Sequence, residues 1–155
     1  MKNFIFVFIL FALLLTVNAV PFQLNKRTTS FSPCPFKTDP LNVTISPDPP
    51  ESGKKEIFSI SGTLTNHKIK KDKTILEIMY IDLSLTPIGD NYNQTFSQSI
   101  KAGEPFAVDV EIFSTPQLPS SYYIGIAVGD PTKDPKKPLN IYACAYALMG
   151  ESDKS

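Results

Sequence analysis

The 155-residue chain has no tryptophan, one histidine and two cysteines. A zinc site needs three or four ligands in a compact set, and His67 with Cys34 and Cys144 does not supply one. Nucleophilic catalysis meets the same scarcity. A serine hydrolase needs a histidine beside a serine and an acid on facing elements, whereas His67 lies in a polar loop, Asn66 to Lys73, with no such spacing around it. The glycines are scattered, so no Gly-rich phosphate cradle is present. Paired carboxylates of the glycosidase kind reduce to Asp109 and Glu111, on a strand face that reads as solvated. No catalytic residue, metal or cofactor is expected, and the chain reads as a protein that is not an enzyme.

An excess of charge is also missing. Fifteen Lys and Arg balance fifteen Asp and Glu, and phosphate binding needs a clear basic surplus, so nucleic acid is not expected as a partner. Apolar runs of spanning length are absent beyond the N-terminus. Phe4 to Val17 is apolar and follows Lys2, but at about fourteen residues it is short for a membrane span. Val17-Asn18-Ala19 fits a small-residue cleavage pattern. Residues 1–19 are therefore expected to be a signal peptide, with a signal anchor as the alternative. The expected destination is secretion or a vacuolar or lysosomal lumen. Residues 20–30 read as a flexible segment or short propeptide, in which Lys26-Arg27 is either a processing site or a pair of ordinary surface charges. A domain over 31–149 and a tail over 150–155 complete the chain.

What remains is patterned with period two, and no segment shows a 3.6-residue apolar period. Strands are predicted near 31–36, 41–46, 56–65, 74–85, 92–100, 105–113, 121–129 and 139–148, with breakers between nearly all of them. Many short strands rich in Ile, Val, Phe, Tyr and Thr point to an antiparallel β-sandwich. Phe106, Val108, Val110 and Ile112 alternate with Ala107, Asp109 and Glu111, as in a half-buried strand with one wet face. Tyr122, Ile124, Ile126 and Val128 alternate with Tyr123, Gly125 and Ala127, whose face is small and uncharged. Ile75 to Leu85 is apolar on both parities. Leu41 to Ile45 stops in Pro47, Pro49 and Pro50, which donate no ladder hydrogen bonds, so Pro47 to Gly53 is a stiff connection. An immunoglobulin domain ordinarily packs a tryptophan on its disulfide; this chain has none to pack.

In a secretory chain an isolated cysteine pair reads as one disulfide, with two free buried thiols as the alternative. Asn42-Val43-Thr44 and Asn93-Gln94-Thr95 are glycosylation sequons. Asn42 and Thr44 share the strand face opposite Leu41, Val43 and Ile45. Two lysine-rich loops, Lys68 to Lys73 and Lys133 to Lys137, read either as solvated tips that discourage edge aggregation or as points of transient contact with anionic membranes.

The run Val43-Thr44-Ile45-Ser46-Pro47-Asp48-Pro49-Pro50-Glu51-Ser52-Gly53, followed by Phe58-Ser59-Ile60-Ser61-Gly62-Thr63-Leu64, resembles the start of the ML domain. This is a lipid-recognition family that includes fungal phosphatidylglycerol/phosphatidylinositol transfer proteins and the soluble Niemann-Pick type C sterol carrier. Cys34, the stretch Pro116 to Tyr122 and the segment Leu139 to Cys144 extend the resemblance over roughly residues 31–149. It implies an immunoglobulin-like two-sheet sandwich with an apolar cavity between the sheets, closed by a bridge matching Cys34–Cys144. The further cysteines common in the family are missing here.

On that resemblance the expected function is secretory-pathway lipid binding and transfer. The ligand would be a sterol or a phosphatidylglycerol- or phosphatidylinositol-type lipid, and the protein is expected to be a monomer. Inward parity nominates Phe58, Ile60, Leu64, Phe106, Val108, Val110, Ile124, Ile126 and Val128 as cavity lining, with Leu76, Ile78 and Tyr80 on the doubly apolar strand. For each of these residues, ordinary dry core is the competing reading. The alternative function is a secreted immunoglobulin-like adhesion or effector protein that binds another protein and has a filled core.

Overall fold

The structure is a computed structural model that describes residues 28–150. The signal segment 1–19, the dibasic pair Lys26-Arg27 and residues 151–155 lie outside the described residues. Eight strands follow one another: β1 Ser32–Pro33, β2 Leu41–Ser46, β3 Glu56–Thr63, β4 Ile75–Ile81, β5 Tyr92–Thr95, β6 Pro105–Ile112, β7 Tyr122–Pro131 and β8 Leu139–Met149. They form a five-stranded sheet in the order β1-β8-β7-β4-β5 and a three-stranded sheet in the order β2-β3-β6. Every strand pair is antiparallel. The fold is an all-β, two-sheet sandwich.

Strand positions follow the period-two reading closely, and the differences have local causes. The first predicted strand shrinks to Ser32–Pro33, because the chain leaves β8 at once to cross to the other sheet. The strand expected over 74–85 stops at Ile81. There the Asp82 carboxylate accepts from the backbone N–H of Ser84 at 2.8 Å and of Thr86 at 2.9 Å, and these bonds fold the chain into a turn. The strand expected over 92–100 stops at Thr95, and the rest returns across the sandwich as a connection. β7 instead runs on to Pro131, with a register shift between Val128 and Gly129 that leaves Tyr142 without a partner directly opposite. A Cβ on Gly129 would lie 2.2 Å from the Asn140 carbonyl oxygen, so only glycine fits this close approach.

Apolar alternation places one face of each sheet inward. On the small sheet Ile60 pairs with Val43 and Val108, and Phe58 pairs with Ile45 and Val110. On the large sheet Leu76, Ile78 and Tyr80 oppose Val128, Ile126 and Ile124. These in turn oppose Ala143, Ala145 and Ala147 of β8. Directly paired residues share a face, so bulky side chains gather over β4 and β7 while β8 contributes small ones.

The two long edges of the sandwich differ. On one, the chain between β1 and β2 crosses from the large sheet to the small one and is fastened there. Cys34 is bonded to Cys144 across 110 residues of sequence. Asp39 bonds backbone to backbone with Tyr142 and Cys144 at 2.9 and 3.1 Å. Its carboxylate accepts from the Thr65 N–H and hydroxyl at 2.9 and 2.8 Å. On the other edge, β5 and β6 each have a single neighbour, and the connection 96–104 crosses between the layers, held by backbone bonds to Leu64, Ile69, Asp72 and Thr74 of the β3–β4 connection.

The two ends differ as well. One end carries the Pro47–Lys55 connection together with loops 82–91 and 113–121. The proline run is tied to the second of these loops. Gly53 N–H donates to the Thr115 carbonyl at 3.0 Å, Thr115 N–H to the Lys54 carbonyl at 2.9 Å, and Leu118 N–H to the Ser52 hydroxyl at 2.9 Å. The opposite end carries both lysine-rich loops. There Asp130, nearly buried, accepts from Lys70 Nζ and from the Thr74 hydroxyl at 2.7 Å each. Burial alone would raise the Asp130 pKa, but these bonds overcome it and hold the carboxylate below its usual range. His67 stacks on Tyr142 with ring centroids 3.9 Å apart. The sole histidine thus packs against β8 at the lysine end.

Closing a loop of this length by a disulfide constrains the unfolded chain by roughly 4–5 kcal/mol. Replacing both Cys34 and Cys144 with serine is expected to lower unfolding free energy by that order, measured by denaturant titration of the oxidised parent and the variant. A loss of less than about 1 kcal/mol, well under the disulfide range, would assign the closed edge to Asp39 alone.

Candidate functional site

Of the twelve side chains nominated from parity, eleven are buried: Phe58, Ile60, Leu64, Leu76, Ile78, Tyr80, Phe106, Val110, Ile124, Ile126 and Val128. They form one cluster between the sheets, with Val108 half-buried at its margin. The doubly apolar strand β4 resolves by the same rule. Leu76, Ile78 and Tyr80 face inward, while Met79 and Ile81 lie on the outer face over Gly125.

Along the middle of the sandwich this cluster is closely packed. Phe58, Ile78, Ile124, Ile126 and Val128 are fully buried. Space opens at the other edge, where a cleft of about 240 Å³ lies between β5 and β6. Its apolar wall is Leu76, Phe96, Ile100 and Val108, and its polar rim is Gln94, Thr95, Ser97 and Gln98. Phe96 meets Phe106 edge-on at 5.6 Å between ring centroids. Ile100 is held in place by reciprocal backbone bonds with Ile69 at 2.9 and 3.0 Å. Only Leu76 and Val108 of the nominated residues touch this cleft.

Phe96 and Ile100 were not nominated. Phe96 continues the parity of Tyr92 and Gln94, and the polar Gln94 hides that signal. Ile100 belongs to a connection, where strand parity does not apply.

A second groove, of about 560 Å³, lies over the outer face of the small sheet and includes Thr29, Phe31, Asn42, Thr44, Ser59, Ser61 and Asp109 in its lining. Its lining mixes hydroxyl, amide and carboxylate groups with the apolar Phe31, Leu41, Val43, Ile60 and Ala107. Asn42 is exposed within it, and Asn93 is exposed on β5.

The other unpredicted feature is polar. Glu56 opens β3 with the inward parity of Phe58 and Ile60 and is 0 % exposed. Neither of its carboxylate oxygens has a hydrogen-bond partner among the described residues, and neither does the buried Tyr80 hydroxyl. Burial first, and then the charges of Asp48 and Glu51, push the Glu56 pKa from about 4.5 up to about 7. Burial likewise raises Tyr80, with Glu56 and Tyr122 adding to the shift. Tyr122 is pushed up to about 12, chiefly by burial and then by Glu56. Tyr80 and Tyr122 lie with ring centroids 6.3 Å apart. These groups sit at the proline end, and among the described residues no cluster of three or more His, Cys, Asp or Glu is arranged to hold a metal.

No protein-family model matches the chain, and no curated protein matches it. Among solved structures, the crystal structure of chicken MD-1 complexed with lipid IVa is similar, at 13 % identity and a TM-score of 0.49. The similarity covers 79 % of this chain and 88 % of that one.

The proton on Glu56 is bound more tightly in the folded chain than in the unfolded one. Stability is therefore expected to fall as pH rises from about 4.5 to about 7 and then to level off, by roughly 3 kcal/mol in total. Urea titrations near pH 5 and near pH 8, values bracketing that window, measure the fall. Glu56→Gln, which cannot titrate there, should flatten it. An identical fall in the variant would assign the dependence to another group.

Proposed function

We propose that the protein is a lipid carrier of the secretory pathway, not an enzyme, which holds an apolar ligand between its two sheets. The carrying observation is the asymmetry of the sandwich edges. The Cys34–Cys144 and Asp39 edge is fastened covalently, the β5/β6 edge only by hydrogen bonds to its connection, and there lies a cleft with an apolar wall and a polar rim. The cleft meets the inward residues of the sandwich at Leu76 of β4 and Val108 of β6. Each methylene moved from water into such surroundings contributes about 0.8 kcal/mol.

At about 240 Å³ the cleft is smaller than the roughly 300–1,000 Å³ of ordinary ligand sites. On this reading it seats the leading part of a chain or ring system. The connection carrying Phe96 and Ile100 then shifts outward as the rest enters. The mature protein acts as a monomer. Membrane contact uses the lysine end, although Asp130 already engages Lys70 and lies 3.9 Å from Lys73. The resemblance of Val43 to Leu64 to the ML domain supports a sterol or phosphatidylglycerol/phosphatidylinositol class of ligand.

A second reading rests on Leu83, Leu85 and Phe113, which stand on loops at the proline end. Phe113 is 81 % exposed and Leu85 is 76 % exposed. Loops of this character suit a protein-binding sandwich with a filled core.

Full-length chain secreted from an oxidising host separates the two readings. The carrier is expected to release lipid on solvent extraction, detected by mass spectrometry, and to take up a fluorescent sterol or phospholipid. Val108→Trp, which fills the cleft, should reduce uptake several-fold with the unfolding temperature little changed. Absence of extractable lipid together with absence of uptake would favour the adhesion reading.

A further inference from the structure

The proline end of the interior is polar in a way that packing alone does not explain. Glu56 on β3 is fully buried and aimed between the sheets, with both carboxylate oxygens unpartnered among the described residues. From the facing sheet the Tyr80 hydroxyl is buried and equally unpartnered. Tyr122 stands beside Tyr80, and the field of Glu56 reaches both phenols. The charges that act on Glu56 are Asp48 and Glu51, both acidic. A buried acceptor or donor left without a partner is costly, so the end of an otherwise apolar space holds one unmet acceptor and one unmet donor.

That pairing has a matching chemistry. An alcohol oxygen carries a donor and an acceptor in one group. We infer that Glu56 and Tyr80 form the head-group site of the interior and that the lipid held there is a neutral alcohol, whose hydroxyl donates to Glu56 and accepts from Tyr80. This rests on the carrier reading above and narrows its ligand class. A phosphate ester fits poorly. Its phosphate oxygens only accept, and, even where the head group adds hydroxyls as phosphatidylglycerol does, its negative charge would face Glu56 with Asp48 and Glu51 acting on the same site. Phe58, Ile78 and Ile124, between the head site and the cleft, are packed in one buried cluster, so the apolar body of the alcohol enters by replacing contacts among them.

The test uses full-length oxidised protein at neutral pH and three fluorescent probes: a sterol alcohol, the same sterol with its hydroxyl capped as a methyl ether, and a phosphatidylglycerol. The alcohol is expected to bind about tenfold more tightly than the ether, and the phosphatidylglycerol more weakly than the alcohol. Glu56→Leu should bring alcohol affinity down toward that of the ether while leaving ether affinity unchanged, and Tyr80→Phe, which keeps the ring, should weaken alcohol and ether together, because the ether oxygen still accepts. Unfolding temperatures verify that both variants fold.

Equal affinity for alcohol and ether in the parent protein would overturn the head-group assignment. It would leave Glu56 and Tyr80 as a structural pair. Tighter binding of phosphatidylglycerol than of the alcohol would overturn the assignment while the carrier reading stands. Uptake of none of the three probes would overturn the carrier reading and this inference with it.

Discussion

Everything in this molecule that distinguishes one side from the other follows from the crossing segment between β1 and β2. A two-layer sandwich has two long edges at which its layers can part. Here one edge is closed three times over: covalently by Cys34–Cys144, along the backbone by Asp39 with Tyr142 and Cys144, and through the Asp39 carboxylate to Thr65. The small Ala143, Ala145 and Ala147 on β8 keep bulk away from that side. Any opening between the layers is thereby directed to β5 and β6, where hydrogen bonds to the connection 96–104, and no disulfide, hold the layers.

The two ends carry different chemistry because their loops do. At the lysine end Asp130 neutralises the loop that would otherwise be most basic, and His67 packs on Tyr142 to hold it down. At the proline end the rigid run is anchored by Thr115 and Leu118, while Asp48 ties in the Thr29 backbone and hydroxyl. This end is both the most constrained and the most acidic inside. Rigid surroundings limit the relaxation that would let an unpaired carboxylate find a partner or water, which accounts for Glu56 remaining a strained element in an otherwise consistent core.

Strand parity places eleven of its twelve nominated residues in the buried core but leaves out the β8 face of Ala143, Ala145, Ala147 and Met149. It rests on one rule, alternation of side chains across a pleated sheet, and Phe58 to Leu64 or Tyr122 to Val128 obey it without interruption. The rule also resolves the doubly apolar β4, once Gly125 shows which face Met79 and Ile81 occupy. What stayed illegible has identifiable causes. Phe96 and Ile100 lie where the chain leaves β5, so parity no longer predicts direction, and only the path of the connection brings them to the cleft. Glu56 shares the parity of Phe58 and so was in principle readable. A charged residue at a strand end is ordinarily solvated, however, and nothing in the local sequence says that the proline run folds over it. The turn at Asp82 was hidden by Leu83 and Leu85, which continue an apolar pattern beyond the point where the Asp82 side chain ends the strand.

The filled middle of the sandwich bears on how a guest could be held at all. Phe58, Ile78 and Ile126 are already dry, so admitting an apolar ligand exchanges contacts among side chains for contacts with the ligand. That exchange is nearly neutral for the protein, whose surfaces remain apolar on both sides of it. The net driving force is then the apolar surface that the ligand itself removes from water, less the cost of moving the connection at Phe96 and Ile100. Such a force discriminates poorly between apolar bodies of similar size. Discrimination must come from the polar groups the ligand meets inside, because a site with an unmet donor and acceptor penalises any guest that leaves them unmet. In this interior those groups are Glu56 and Tyr80. The selectivity of the carrier reading therefore rests on two side chains at the proline end, while its capacity rests on the apolar faces of β3, β4, β6 and β7.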